Sequence, residues 1–276
     1  MEKCKTIAVC NQKGGVAKTT TVVNLGIGLA MYGKKTLIVD FDAQADATAS
    51  LGWRNSDELP VTITTKLTQT MNGTLNNPFE GILHHEENVD LMPANIELSA
   101  MEMNLVNAFS REILLKTYLN EIKGKYDFIL IDCMPSLSIL TINALSAADS
   151  VIIPVQSQYL PAKGMTQLLQ TIGRVKKYIN PDINIDGILL TLVDNRTNLA
   201  RITAETLKNN FGNHIKLYKT TIPIGVKAAE ASAAGKSIFA YDPSSTVAKA
   251  YKSLTEEVIA DVRKKERNHA PDFNIR

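Results

Sequence analysis

The feature that most constrains this chain is a set of short apolar runs without alternation, at 7–9, 37–39, 128–131, 151–153 and 188–190. A strand reads this way when neither of its faces meets water, and such strands belong to parallel sheets covered by helices. Helix-like segments fall between the runs, at 18–32, 96–123, 138–148, 163–179 and 199–211. Alternation of the two predicts an α/β fold: a doubly wound, mostly parallel sheet with helices on both faces. The 276 residues suffice for a sizeable core. We read residues 1–265 as one domain with a polar excursion at about 52–88, made of short helices or hairpins, and residues 266–276 as a flexible tail.

Composition narrows the function classes. Lys+Arg 30 against Asp+Glu 28 gives a net charge of +2, so any affinity for nucleic acid has to come from a local patch. Cys4, Cys10 and Cys133 are widely spaced with no C-x-x-C, which argues against a zinc site or a disulfide framework and for reduced thiols. No segment approaches the roughly 18 apolar residues of a membrane span, and the apolar run at the N-terminus is short for a signal peptide. A cytoplasmic chain is the expectation.

Open parallel sheets bind ligands beyond the carboxyl ends of their strands, so the residues after each apolar run matter most. After 7–9 comes NQKGGVAKTTT. Gly14 and Gly15 let backbone N–H groups turn toward a phosphate, and the following helix adds its positive end. Lys18 is placed to reach β- and γ-phosphates, and the Thr19 hydroxyl to ligate Mg²⁺. The standard loop G-x-x-x-x-G-K-[ST] fails at Gln12 and Ala17, and taken alone the stretch also fits a strand-to-helix turn with an exposed lysine. After 128–131, Asp132 fits the Walker B carboxylate that holds Mg²⁺ through water. After 37–39, Asp40 and Asp42 fall close to the same loop. Any one of these aspartates could merely cap a helix; three such segments in order argue for a nucleotide site.

On these residues the chain resembles the ParA/Soj family of DNA-partition ATPases, within the wider group that includes MinD and nitrogenase iron protein. The family's deviant Walker A motif, K-G-G-x-G-K-[ST], appears as Lys13-Gly14-Gly15-Val16-Ala17-Lys18-Thr19. D-x-D-P-Q appears as Asp40-Phe41-Asp42-Ala43-Gln44, and the Walker B segment runs from Asp127 to Leu137. Similarity continues through 140–156, 187–199 and 219–238. The resemblance implies a P-loop ATPase that uses ATP and Mg²⁺, with the nucleotide on Lys13 to Thr19 and Thr20 and the metal near Thr19, Asp40 and Asp132. It implies that Asp42 orients the attacking water, with Lys18 as the loop lysine. Lys13 would reach across an ATP-dependent homodimer to the partner's phosphates, where a second ammonium neutralises developing charge. Asp46 reads equally as an assistant and as a loop or helix-cap residue.

The resemblance also implies that the ATP dimer binds DNA nonspecifically, in association with the nucleoid, and that a ParB-type centromere-binding protein stimulates slow hydrolysis. Arg196 is the first candidate DNA contact, followed by Arg201, Lys208, Lys227 and Lys236; for each lysine a solvated surface charge is the plain alternative. A first strand starting near Thr6 leaves no room for an N-terminal helix-turn-helix, so sequence-specific operator binding is not expected. Three residues depart from the pattern. Ala17 replaces glycine, and we expect it to be already helical and therefore without cost. Ala43 replaces proline, which should loosen the water-positioning loop. Ile224 stands where many relatives carry a DNA-contacting arginine.

Two rivals come from other classes. A MinD-like membrane-cycling regulator ends in an amphipathic helix, whereas this chain ends HAPDFNIR, interrupted by Pro271 and Asp272; no membrane partner is expected. An iron–sulfur reductase like nitrogenase iron protein needs two exposed cysteines per subunit, and none of the three is an evident candidate.

Overall fold

Each central strand divides its side chains between two cores, which is why its sequence shows no polar alternation. In the first strand Ala8 and Cys10 face one core and Ile7 and Val9 the other; Leu37 and Val39 oppose Ile38 in the second, and Ile129 and Ile131 oppose Leu130 in the fifth. The computed structural model describes residues 4–157, 162–194, 196–212 and 214–269.

The elements run β1 (Lys5–Val9), α1 (Lys18–Met31), β2 (Thr36–Phe41), α2 (Asp46–Ser50), α3 (Ile63–Met71), β3 (Leu83–His85), β4 (Val89–Met92), α4 (Glu97–Asn104), α5 (Leu114–Ile122), β5 (Phe128–Cys133) and α6 (Ile139–Ala147). They continue with β6 (Ser150–Gln156), α7 (Ala162–Tyr178), β7 (Asn184–Thr191), α8 (Asn198–Phe211), α9 (Val226–Ala233), α10 (Ile238–Tyr241) and α11 (Thr246–His269). Among the described residues seven strands lie in the order β3-β4-β2-β5-β1-β6-β7, and only β3 is antiparallel to its neighbour. The doubly wound, mostly parallel sheet expected from the apolar runs is the observed architecture.

The position of β1 between β5 and β6 sets the site. Its register pairs Val9 with both Asp132 and Ile152, so the turn after β1 opens at the middle of the sheet's carboxyl edge. Helix α1 lies tight over that sheet at Gly26, where a Cβ would stand 2.8 Å from Ile38, and tight against α11 at Gly28, where it would stand 2.3 Å from the Thr255 hydroxyl oxygen.

Two readings are corrected here, and a third, the excursion of short helices or hairpins, gains its elements. The segment 96–123 is not one helix: α4 gives way to a 3-10 turn, Ser110 takes a positive φ of 52°, and Asn143 on α6 holds the break by bonding the Arg111 carbonyl (2.6 Å) and the Leu115 N–H (3.1 Å). The excursion contributes α3 and the edge strand β3, with β4 following directly as a parallel neighbour of β2. Helix α11 extends to His269, four residues into the segment read as a tail; residues 270–276, with Pro271 and Asp272, lie outside the described residues.

Candidate nucleotide site

The loop between β1 and α1 is tied down from several sides. The Asn11 amide donates to the Pro154 carbonyl (2.6 Å) and its oxygen accepts the Lys13 N–H (3.0 Å). Thr191, at the end of β7, donates its hydroxyl to the Val16 carbonyl (3.0 Å). Two residues then reverse the chain in the left-handed region, Gly15 at φ 69° and Ala17 at φ 62°, ψ 35°. The expectation that Ala17 is already helical is therefore wrong. It stands immediately before α1 in a conformation where a Cβ costs about 1–2 kcal/mol, because the loop must turn left-handed before entering the helix.

The loop forms one wall of a cleft of about 390 Å³ lined by Gly14, Gly15, Ala17, Lys18, Thr19, Thr20, Asp42, Gln44, Asp46, Pro135 and Leu192. Lys18 is buried, its ammonium donating to the Lys13 carbonyl at 3.2 Å. Lys13 does not line the cleft; its ammonium donates to Gln156 Oε1 at 2.8 Å, at the end of β6. Val16 is buried beneath the loop, 1% exposed.

Across from the loop the parallel ladder sets Asp40 beside Asp132. Asp40 is wholly buried; one carboxylate oxygen accepts both the N–H (2.8 Å) and the hydroxyl (2.7 Å) of Thr48, and the other accepts the Asp42 N–H (3.3 Å). Burial pushes its pKa up to about 7 against the pull of those bonds. Asp132 is 1% exposed and both of its oxygens lack a hydrogen-bond partner among the described residues. Its pKa is raised well above the ordinary carboxylate range, first by burial and then by the Asp40 charge; the nearby Thr19 hydroxyl and Lys18 ammonium oppose that rise without cancelling it. A buried carboxylate with no partner, beside a second carboxylate and a threonine hydroxyl, is the donor set of a hard divalent cation bound partly through water. The residues fit Mg²⁺ carried with a nucleoside phosphate: Thr19 and Asp132 would face the metal, and Asp40 would hold the loop that presents Asp42.

Asp42 is half-buried and organises its own turn, accepting the Gln44 N–H on its side chain (3.0 Å) and the Ala45 N–H on its carbonyl (3.0 Å). Ala43 is buried within that turn. Two hydrogen bonds thus restrain the segment where proline is absent. Asp46 opens α2 and lines the cleft, its carboxyl raised by burial and by Asp42.

Residues that sequence reasoning passed over are Thr48 on α2, which holds Asp40, and the strand-end residues Gln156 and Thr191. Gln156 and Thr191 end the strands grown from 151–153 and 188–190, and extending the same edge rule to those two runs would have found them.

The candidate DNA contacts are more scattered. Arg196 is 89% exposed but clasps Asp194, Nε to Oδ1 and Nη2 to Oδ2 both at 2.9 Å, and this holds the Asp194 carboxyl down at about 2. Hydrogen bonds between Val193 and residues 222 and 224 bring this loop beside exposed Ile224. Arg201 and Lys208 are exposed on α8, Lys227 on α9 pairs with Glu230 (2.8 Å), and exposed Lys236 follows the other end of α9. Cys10 and Cys133 are buried with sulfurs 2.8 Å apart, and Cys4 precedes the other end of β1, so the described cysteines form no exposed pair. No helix among the described residues is long and apolar enough to cross a membrane.

Comparison with known proteins agrees with this geometry. A family model described as an AAA domain matches residues 4–185. The chain is 46% identical over 261 residues to the sporulation initiation inhibitor protein Soj of Bacillus subtilis, covering 93% of this chain and 99% of that protein. It is 42% identical to the chromosome-partitioning ATPase Soj of Treponema pallidum, covering 93% and 97%. Among solved structures, a Mycobacterium smegmatis protein named cobyrinic acid a,c-diamide synthase, with a bound ATP analogue and magnesium, superposes with a TM-score of 0.80 at 34% identity, covering 93% of this chain and 94% of that one. Sequence and fold agree over nearly the full length, and the chain belongs to the ParA/Soj family of deviant Walker A ATPases.

Proposed function

We propose that this chain, acting as one ATPase unit over residues 1–265, is an ATP-driven switch: Mg²⁺-ATP closes a homodimer, the dimer binds DNA nonspecifically, and a ParB-type partner stimulates slow hydrolysis to release it. Segregation of a plasmid, chromosome or mobile element in the cytoplasm, on the nucleoid, would follow from that cycle. The observation that carries the reading is the position of Lys13. It is not among the residues that line its own cleft, its ammonium being directed to Gln156 at the end of β6, while Lys18 serves the loop from within. A lysine beside the phosphate loop but outside its own cleft suits phosphates held by a second subunit, which would tie dimerisation to the nucleotide.

In this reading Asp42 orients the attacking water; the cleft wall and the fixed Asp42 turn support that role. Arg196, Arg201, Lys208, Lys227 and Lys236 supply phosphate contacts without reading bases, and Arg196 exchanges Asp194 for a DNA phosphate. The relatives named for chromosome partitioning support the choice of DNA over a membrane as the surface engaged. The test is DNA binding by the wild type and by Lys18→Ala with ATP, ADP or no nucleotide. Binding by the wild type only with ATP, lost in Lys18→Ala, is the expected result; equal binding in all three states, or none, sinks the switch. Sedimentation with liposomes and ATP checks the membrane-cycling rival.

A further inference from the structure

We propose that Gln156 is a latch that helps to hold Lys13 in its own subunit, so that the stronger this hydrogen bond is, the less readily ATP dimerises the protein. The inference rests on the trans role of Lys13 given above and adds its regulation. Lys13 is fixed at two points to the same strand end: its ammonium to Gln156 Oε1 at 2.8 Å, and its N–H, through Asn11, to the Pro154 carbonyl. Gln156 is itself placed by the β6–β7 ladder opposite Thr191, whose hydroxyl holds the Val16 carbonyl of the phosphate loop. The latch and the loop therefore share one rigid support.

A third contact links the latch to the nucleotide. Lys18 donates to the Lys13 carbonyl at 3.2 Å. Phosphates compete for that ammonium, and when Lys18 turns to them Lys13 loses one of its restraints. Nucleotide binding in one subunit thus loosens the residue that the other subunit needs. An ammonium cannot serve Gln156 and a partner's phosphate with the same donor geometry, so the stability of the latched state is subtracted from that of the dimer.

The two substitutions at this position act in opposite directions. Gln156→Ala removes the acceptor, whereas Gln156→Glu keeps the shape and makes the bond charge-assisted, roughly twice as strong. In sedimentation velocity with Mg²⁺ and a non-hydrolysable ATP analogue, Gln156→Ala should dimerise at a protein concentration about fivefold lower than the wild type, and Gln156→Glu at one about tenfold higher. Both should bind Mg²⁺-ADP as monomers with wild-type affinity, which a merely structural defect would not preserve. Lys13→Gln run beside them separates the two levels of inference. If the wild type stays monomeric with the analogue, or Lys13→Gln dimerises normally, the trans role of Lys13 falls and the latch with it. If Lys13→Gln fails to dimerise as expected, while the two Gln156 variants match the wild type or shift the same way, the latch alone is overturned.

Discussion

Two buried charges in this molecule are treated in opposite ways. Lys66, in the excursion, has a side chain with no exposure, and its ammonium is fully engaged by the Asn77 carbonyl (2.9 Å), Glu80 Oε2 (3.1 Å) and Gln69 Oε1 (3.3 Å). Asp132, at the centre of the sheet edge, is as deeply buried and has no hydrogen-bond partner on either oxygen among the described residues. The backbone repeats the contrast. Left-handed residues across 52–88 are Gly52, Gly73, Gly81 and Asn88, types that tolerate it, whereas around the cleft they include Ala17, Ala45 and Leu192. The excursion is finished by its own chain. The cleft keeps its costs open for a ligand to offset.

The largest effects should come from closing that account artificially at Asp132. Asp132→Asn removes a carboxyl whose ionised form burial penalises, so without ligand the protein should be more stable by about 1–2 kcal/mol at pH 7.5, while Mg²⁺-dependent ATP hydrolysis falls by about a hundredfold or more. The pH dependence has a definite sign. Asp40 is raised to about 7 and Asp132 well above the ordinary carboxylate range, so the folded protein binds more protons than the unfolded chain above about pH 4. Their contribution is present in full below the unfolded pKa and is lost as pH rises through about 7. Thermal denaturation in EDTA between pH 5 and 7.5 should show stability falling with pH, more steeply in the wild type than in Asp132→Asn. Equal slopes and an unchanged hydrolysis rate would mean that Asp132 is an ordinary core residue.

The complementary change is Lys66→Ala. Removing a fully satisfied buried ammonium strands the Asn77 carbonyl and empties the space under α3, at a cost of about 3 kcal/mol in chemical denaturation. Hydrolysis per folded molecule should stay at the wild-type value, since Lys66 touches none of the cleft residues given above. A loss of stability under about 1 kcal/mol would show that the excursion leans on Lys66 less than its contacts suggest.

How much of this was legible follows the same division. The sheet was readable because its strands are buried on both faces, and the cleft because Gly14, Gly15, Ala17 to Thr20 and Asp42 follow two of those strands at one edge of the sheet. Strands β3 and β4 were missed since they are short and half-polar, and β3 is held by the antiparallel pairing His84 to Asp90 rather than by any apolar run. Helix α11 was missed although Val247, Tyr251, Leu254 and Val258 recur at helical spacing and are all buried; the polar residues between them hid the stripe. The conformation of Ala17 was misjudged for a different reason: a residue adjoining a helix takes its φ from the loop it closes, and that closure is a three-dimensional demand.

The smallest effect tests that last point. If Ala17 holds φ 62° as observed, Ala17→Gly removes a strained Cβ but also frees the unfolded chain, leaving a net gain of about 0.5–1 kcal/mol. The gain should be visible as a rise in Tm without ligand and should shrink when Mg²⁺-nucleotide is bound, because the phosphates then help to hold the loop whichever residue stands at 17. The same substitution inside α1, at Ala30, should lower stability by about 1 kcal/mol, which gives an internal reference of opposite sign. A destabilised Ala17→Gly would place residue 17 in the helical region after all. The non-glycine strain around the cleft would then rest on Ala45 and Leu192 alone.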